Sequence, residues 1–411
     1  MALKLTCERR RSTSVLIEEI QMVDTTTTAV SVLRELVAFD TTSRNSNVPI
    51  ILWIERYLAQ HGVQAHRCDH VAGEKVNLYA IIGPNDRPGI ILSGHTDTVP
   101  VDGQDWSHDP YALHEENGRL FGRGTADMKG FLACILASVP EFVKRRLDMP
   151  IVLVFSCDEE VGCRGVVPLI RRFATWPIAP VLAIVGEPTR MAVVKAHKGN
   201  ITFETEVFGV EAHSSTPSDG VNAICYAAQI VIELERIGVE LQGTQDREFI
   251  PPYSTLHVGV INGGTVKNIV PGRCRIVWEI RSLPNSDLSA VIEKFKTFCE
   301  HLEDKMKRKH RSASIVTRLT NSVPPLMGDE ERLPEVLAMQ LAMSNSVLTA
   351  SYTTEAGHFR SIGTPTIVCG PGDITQAHKP DEFIDRSELE KCVKFLSRLG
   401  QYCEGRSRLT L

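Results

Sequence analysis

The chain lacks most of the features that would place it quickly. It has no apolar run approaching the about 18 residues that span a membrane. Its three consecutive arginines, Arg9 to Arg11, lead into no signal-peptide core, because Glu18 and Glu19 break the next stretch. Basic residues are not in excess: 45 Lys and Arg stand against 50 Asp and Glu, which excludes the charge balance of a typical nucleic-acid binder. The 11 cysteines are odd in number and show no C-x-x-C spacing, so they read as reduced thiols rather than a disulfide framework. Internal repeats, low-complexity tracts and a Gly-x-Gly-x-x-Gly phosphate loop are also missing. These absences leave a cytoplasmic chain with no membrane and no nucleic-acid partner as the expectation. Its 411 residues, 43% apolar and 23% charged, suffice for a sizeable core in one to three domains.

The organisation follows from periodicity. Residues 1–24 carry little pattern and are expected to form a disordered extension, with Met22 as a possible native start. Helical spacing begins at Ala29, Val30, Leu33, Leu36 and Val37, with Thr25 to Thr28 as N-cap candidates. Beyond a helix from Val48 to His61, strands at Val76–Ile82, Gly89–Leu92, Ile151–Phe155 and Val181–Val185 alternate with helices at Lys129–Arg146 and Val166–Phe173. Short, fully apolar strands in that alternation predict a mostly parallel sheet covered on both faces. After Pro188 the strands turn half-polar and interleave with two long helices, Asn222–Leu241 and Leu288–Met306. That order suggests a ferredoxin-like α+β insert over residues 193–311, between the halves 25–192 and 312–411 of an α/β domain.

Acidic residues and histidines fall just beyond the carboxyl ends of the apolar strands. Gly94-His95-Thr96-Asp97 follows Ile90–Leu92, Asp158-Glu159-Glu160 follows Ile151–Phe155 and Gly186-Glu187-Pro188 follows Val181–Val185, while Asp127 stands at a helix entrance. In an open α/β sheet that edge is where ligands bind. Alone, an Asp-Glu-Glu is most often a solvated turn, and a His-x-Asp pair often only fixes a tautomer. Imidazole and carboxylates gathered on one sheet edge suit divalent Zn or Co, and one His with four or more carboxylates exceeds the need of a single tetrahedral ion.

The segments Ser93 to Pro100, Gly122 to Gly130, Asp158 to Gly162 and Gly186 to Thr189 resemble, in order and spacing, the motifs of the aminoacylase/carboxypeptidase family of co-catalytic zinc hydrolases. The resemblance runs from about Thr25 to the C-terminal helix. It implies a di-metal hydrolase domain whose inserted domain serves as lid and homodimer interface. It also implies that His95 and His378 each hold one of two Zn or Co ions, Asp127 bridges them, and Glu160 and Glu187 complete the shells. Asp97 would orient His95 by accepting its other ring N–H, and Glu159 would be the general base. His213, in Glu211-Ala212-His213-Ser214-Ser215, matches a family histidine that stabilises the oxyanion from the partner subunit. Arg281 matches an arginine that holds a substrate carboxylate, with Asn268 beside it.

Ala196-His197-Lys198-Gly199, Tyr352 to Gly357, and Gly370 to Asp373 leading to Ala377-His378-Lys379-Pro380-Asp381-Glu382 most resemble the branch acting on N-acetyl-L-ornithine in arginine biosynthesis. Glu355, on an expected loop, is the candidate for that substrate's side-chain ammonium. N-acetylcitrulline, broader N-acyl amino acids, succinyl-diaminopimelate and dipeptides are the alternative substrates. A non-enzymatic binding module is disfavoured, because every expected ligand and the base are present.

Overall fold

The computed structural model describes residues 24–71, 73–329 and 331–405. The expected N-terminal extension and the Met22 start lie outside the described residues, apart from Asp24. A helix already runs over 24–37, through the threonines expected to cap it. Within it, Thr28 Oγ1 donates back to the Asp24 carbonyl at 3.0 Å instead of capping the first turn.

The described strands, in chain order, begin with β1 (Ala65–Val71), β2 (Lys75–Ile82), β3 (Ile90–His95), β4 (His114–Glu116) and β5 (Arg119–Phe121). Next come β6 (Ile151–Ser156), β7 (Leu182–Pro188), β8 (Val193–His197), β9 (Gly199–Phe208) and β10 (Thr255–Gly263). The series ends with β11 (Arg273–Ser282), β12 (Ser314–Val323), β13 (Val347–Ala350), β14 (Thr366–Gly370) and β15 (Phe383–Asp385). The chain divides into two compact units.

The first unit is built on an eight-stranded sheet in the order β1-β2-β6-β3-β7-β14-β8-β13. Its centre, β6-β3-β7-β14, is parallel, and β3 and β6 are buried along their whole length. Burial on both faces is why these strands are continuously apolar. Leu92 and Leu153 join the core formed with the helices 24–37, Val48–Gln60, Gly130–Lys144 and Arg386–Cys403. The helix Ala356–Ser361 packs on β7 and β14. From β3 the chain crosses to β6 on one side, and β7 returns on the other, so the carboxyl ends of β3, β6 and β7 border the switch point where such sheets take ligands. Helix Gly130–Lys144 comes close there because Gly186 has no side chain: a Cβ would lie 2.0 Å from the Phe131 ring.

The second unit comprises 196–327 and 349–353. Its antiparallel sheet has the order β10-β11-β9-β12. With helices Ala223–Leu241 and Ser289–Lys309 it follows the ferredoxin-like β-α-β-β-α-β sequence. Phe203, Trp278, Leu234 and Phe295 lie in its core. The boundary expected at 311 is therefore wrong. Strand β12 pairs with β9 along its length and belongs to this unit. As an edge strand it is largely exposed and polar, which hid it from a search for apolar runs.

Candidate metal centre

Five side chains expected to hold metal converge at the switch point. His95 ends β3 and is 1% exposed. Its Nε2 lies 3.0 Å from Asp127 Oδ1 and 3.9 Å from Glu187 Oε1. Asp127 reaches a second imidazole through its other oxygen, with His378 Nε2 3.3 Å from Oδ2. The same His378 nitrogen is 3.1 Å from Glu160 Oε2. Donor atoms of His95, Asp127 and Glu160 lie within 4.8 Å of one another, and so do those of His95, Glu159 and Glu187. Glu159, expected to stand off the metals as base, thus shares the cluster.

The electrostatics are those of buried like charges. Burial, together with neighbouring carboxylates, pushes Glu159 up to about 8 and Glu160 up to about 7. Burial and then Asp127 raise Glu187 well above the carboxylate range. Burial disfavours a charged His95, but Asp127 and Glu187 outweigh it and raise the imidazole. Hydrogen bonds to Asp127 and Glu160 bring His378 up to about 10. Burial opposes ionisation of Asp127, yet the two histidines hold it well below its usual range. Glu187 Oε1 is buried without a hydrogen-bond partner. An orphaned carboxylate oxygen among crowded carboxylates and two imidazoles is a donor set that fits divalent cations.

The scaffold behind the cluster differs from expectation at two residues. The nearest oxygen to His95 Nδ1 is the Asp97 backbone carbonyl, at 2.9 Å, whereas the Asp97 carboxylate is 3.7 Å away. That carboxylate accepts instead from Ser43 Oγ at 2.7 Å and from the backbone N–H groups of Glu159 and Glu160 at 3.1 and 3.2 Å. It fixes the turn that carries Glu159 and Glu160 rather than the imidazole. Glu355 is not on a loop facing a substrate. It is 1% exposed at the start of helix Ala356–Ser361, with its oxygens bonded to Ser93 and Ser156. Buried behind β3 and β6 in this way, its carboxyl group is closed to a substrate ammonium.

Three supporting residues escaped sequence reasoning. Glu382 accepts from the backbone N–H of Gly124, Ala126 and Asp127 and pairs with Arg123 at 2.8 Å, so it shapes the loop presenting Asp127. Lys75 pairs with Asp158 at 2.8 Å and donates to the Ser43 carbonyl. Cys163, one of the cysteines read only as a reduced thiol, donates its thiol hydrogen to Glu159 Oε1 at 3.0 Å. Of the three, only Glu382 had a signal, its place just after the His378 segment.

The remaining candidates lie in the second unit. His213 is exposed, its Nδ1 2.6 Å from Ser215 Oγ, and its loop bridges to Ile269. The Asn268 carbonyl accepts from Ser214 N–H at 3.0 Å, so Asn268 and His213 lie on adjoining loops. Arg281, on β11, pairs with Glu279 at 2.9 Å and is 38% exposed.

Comparison with known proteins gives a consistent picture. The family model described as Peptidase family M20/M25/M40 matches residues 91–401. An acetylornithine deacetylase of Myxococcus xanthus is 35% identical over 399 residues, 94% of this chain and 100% of the relative. One of Yersinia pestis is 37% identical over 341 residues, 80% of this chain and 84% of its own length. Among solved structures, an M20 family metallo-carboxypeptidase of Sulfolobus solfataricus superposes with a TM-score of 0.74 at 19% identity, covering 92% of this chain and 99% of that one. Human carnosine dipeptidase 1 gives 0.68 at 19% identity, with 93% and 98% covered. The structural likenesses speak to the fold alone.

Proposed function

Because this chain belongs to peptidase family M20/M25/M40, we propose that it hydrolyses the acetyl amide of N-acetyl-L-ornithine, giving L-ornithine and acetate in arginine biosynthesis, with the cytoplasm as its compartment. The observation that carries this reading is the full-length match to a relative named acetylornithine deacetylase. Among the described residues no helix is long and apolar enough to cross a membrane.

Two divalent cations, zinc or cobalt, would be held by His95 with Glu187 and by His378 with Glu160, with Asp127 between the pairs. The distances of the centre support that division. When bound, such ions polarise a carbonyl and make water more acidic. The chain's own groups do the rest. Glu159 takes a proton from the attacking water and delivers it to the leaving amine nitrogen as the carbonyl carbon–nitrogen bond breaks. The Asp97 carboxylate holds the Glu159 backbone during both transfers. His213 gives an N–H to the oxyanion, and Arg281 takes the substrate α-carboxylate in two parallel hydrogen bonds, with Asn268 beside it. The assembly proposed is a homodimer in which His213 serves the neighbouring copy's site. Exposed Ile232 and Val239 on helix Ala223–Leu241 and Val260 and Ile261 on edge strand β10 supply apolar surface for it.

The test is kcat/KM of the zinc- or cobalt-loaded enzyme on N-acetylornithine, N-acetylcitrulline, N-acetylmethionine, N-succinyl-diaminopimelate and a dipeptide. N-acetylornithine should lead by at least about tenfold, roughly 1.4 kcal/mol. A flat profile, or a lead for acetylmethionine or the dipeptide, would refute the substrate while leaving the metal centre in place.

A further inference from the structure

The fold places one buried carboxyl group behind the centre that the proposed chemistry does not use. Ser93 Oγ donates to Glu355 Oε1 at 2.6 Å, and Ser156 Oγ donates to Glu355 Oε2 at 2.7 Å. Ser93 lies on β3 two residues before His95, so both side chains point to the same face. In the parallel register Ser156 stands opposite His95, and it ends the strand that leads into Asp158-Glu159-Glu160. Glu355 itself comes from a distant part of the chain and is 1% exposed. A carboxyl group is costly to bury, and these two serine hydroxyls satisfy one oxygen each. Burial raises its pKa while both serines act to lower it. General stability does not require the trio, since apolar residues in place of Glu355, Ser93 and Ser156 together would fill the same volume at less cost.

We propose that Glu355 is a positioning residue that ties the carboxyl end of β3 to that of β6, and so sets the spacing between His95 and the Glu159-Glu160 turn. This inference rests on the proposed metal centre but not on the identity of the substrate. The side chain acts through its two hydrogen bonds rather than through charge. A glutamine keeps the shape, accepting from one serine through its oxygen and donating to the other through its amide. An alanine loses both bonds and leaves two buried hydroxyls unpaired.

The experiment equilibrates the zinc-loaded, full-length enzyme with a competing chelator and compares wild type, Glu355→Gln, Glu355→Ala, the double variant Ser93→Ala/Ser156→Ala and the triple variant that combines all three alanine substitutions. Glu355→Ala should weaken zinc binding about 10- to 100-fold, the scale of losses behind metal ligands. Its kcat should fall while KM stays close to wild type. Glu355→Gln should recover most of both. The serine double variant should match Glu355→Ala, and adding Glu355→Ala to it should cost little more. If Glu355→Ala does not fold, the serine double variant decides alone. Wild-type zinc affinity in a folded Glu355→Ala, or in the serine double variant, would overturn the proposal. So would a Glu355→Gln as damaged as the alanine variant, or one whose main change is a raised KM. Zinc affinity is read without substrate, so an enzyme that ignored N-acetylornithine would refute the substrate and leave this comparison valid.

Discussion

The two units hold their candidate residues in different ways. In the first, the chemical groups are buried and held by partners far away in the chain: the Asp97 carboxylate by Ser43 and the Glu159-Glu160 turn, the Asp127 loop by Glu382. In the second, His213 is exposed and Arg281 half-buried, and each is held by a residue two positions away, Ser215 and Glu279. The difference matches the division of work proposed for the two sets. Carboxylates crowded for a cation are costly to bury and need a rigid frame. Groups that receive substrate must stay open until it arrives, and their present hydrogen bonds are local enough to exchange.

Four substitutions or conditions probe that contrast, in decreasing order of effect. Asp127→Asn removes the charge shared by both histidines and should cost metal content and roughly a thousandfold in turnover, measured by metal analysis beside kcat. His213→Ala should lower kcat about 100-fold with metal content unchanged, which would separate the two units cleanly. If it lost metal as well, the division of labour would fail. Arg281→Lys keeps the charge but not the paired hydrogen bonds, so KM should rise about tenfold with kcat little changed. The smallest effect concerns stability of the metal-free protein. Glu159 and Glu160, raised to about 8 and about 7, keep protons in the folded state that the unfolded chain has released above about 4.5. The folded state then binds more protons than the unfolded one, so stability falls as pH rises from about 4.5 to 8. Tm should drop by about 2 °C per pH unit in that window, and zinc should flatten the slope. A Tm rising with pH would contradict the burial of these carboxylates.

Much of the first unit was legible because its physics is local. A strand buried on both faces must be apolar throughout, so β3, β6 and β7 stand out, and the acids and imidazole at or just past their carboxyl ends mark the ligand edge. His378 could be placed only by resemblance, for it reaches Asp127 and Glu160 from a turn far along the chain. Glu355 was misassigned for the same reason in reverse. Its loop-like neighbourhood gave no hint that folding would bury it against Ser93 and Ser156. At Asp97 the expected acceptor was the wrong one, because a carbonyl and a carboxylate of one residue cannot be told apart before the backbone turns. Strand β12 was lost because an exposed edge needs no apolar pattern.

The most direct test of the account is the paired metal content and turnover of Glu159→Gln on N-acetylornithine. The account predicts wild-type metal content with kcat lowered about 100- to 10,000-fold, as expected when a proton carrier is removed from an otherwise intact centre. Turnover near wild type, or loss of metal in step with activity, would contradict the assignment of Glu159 as the proton carrier.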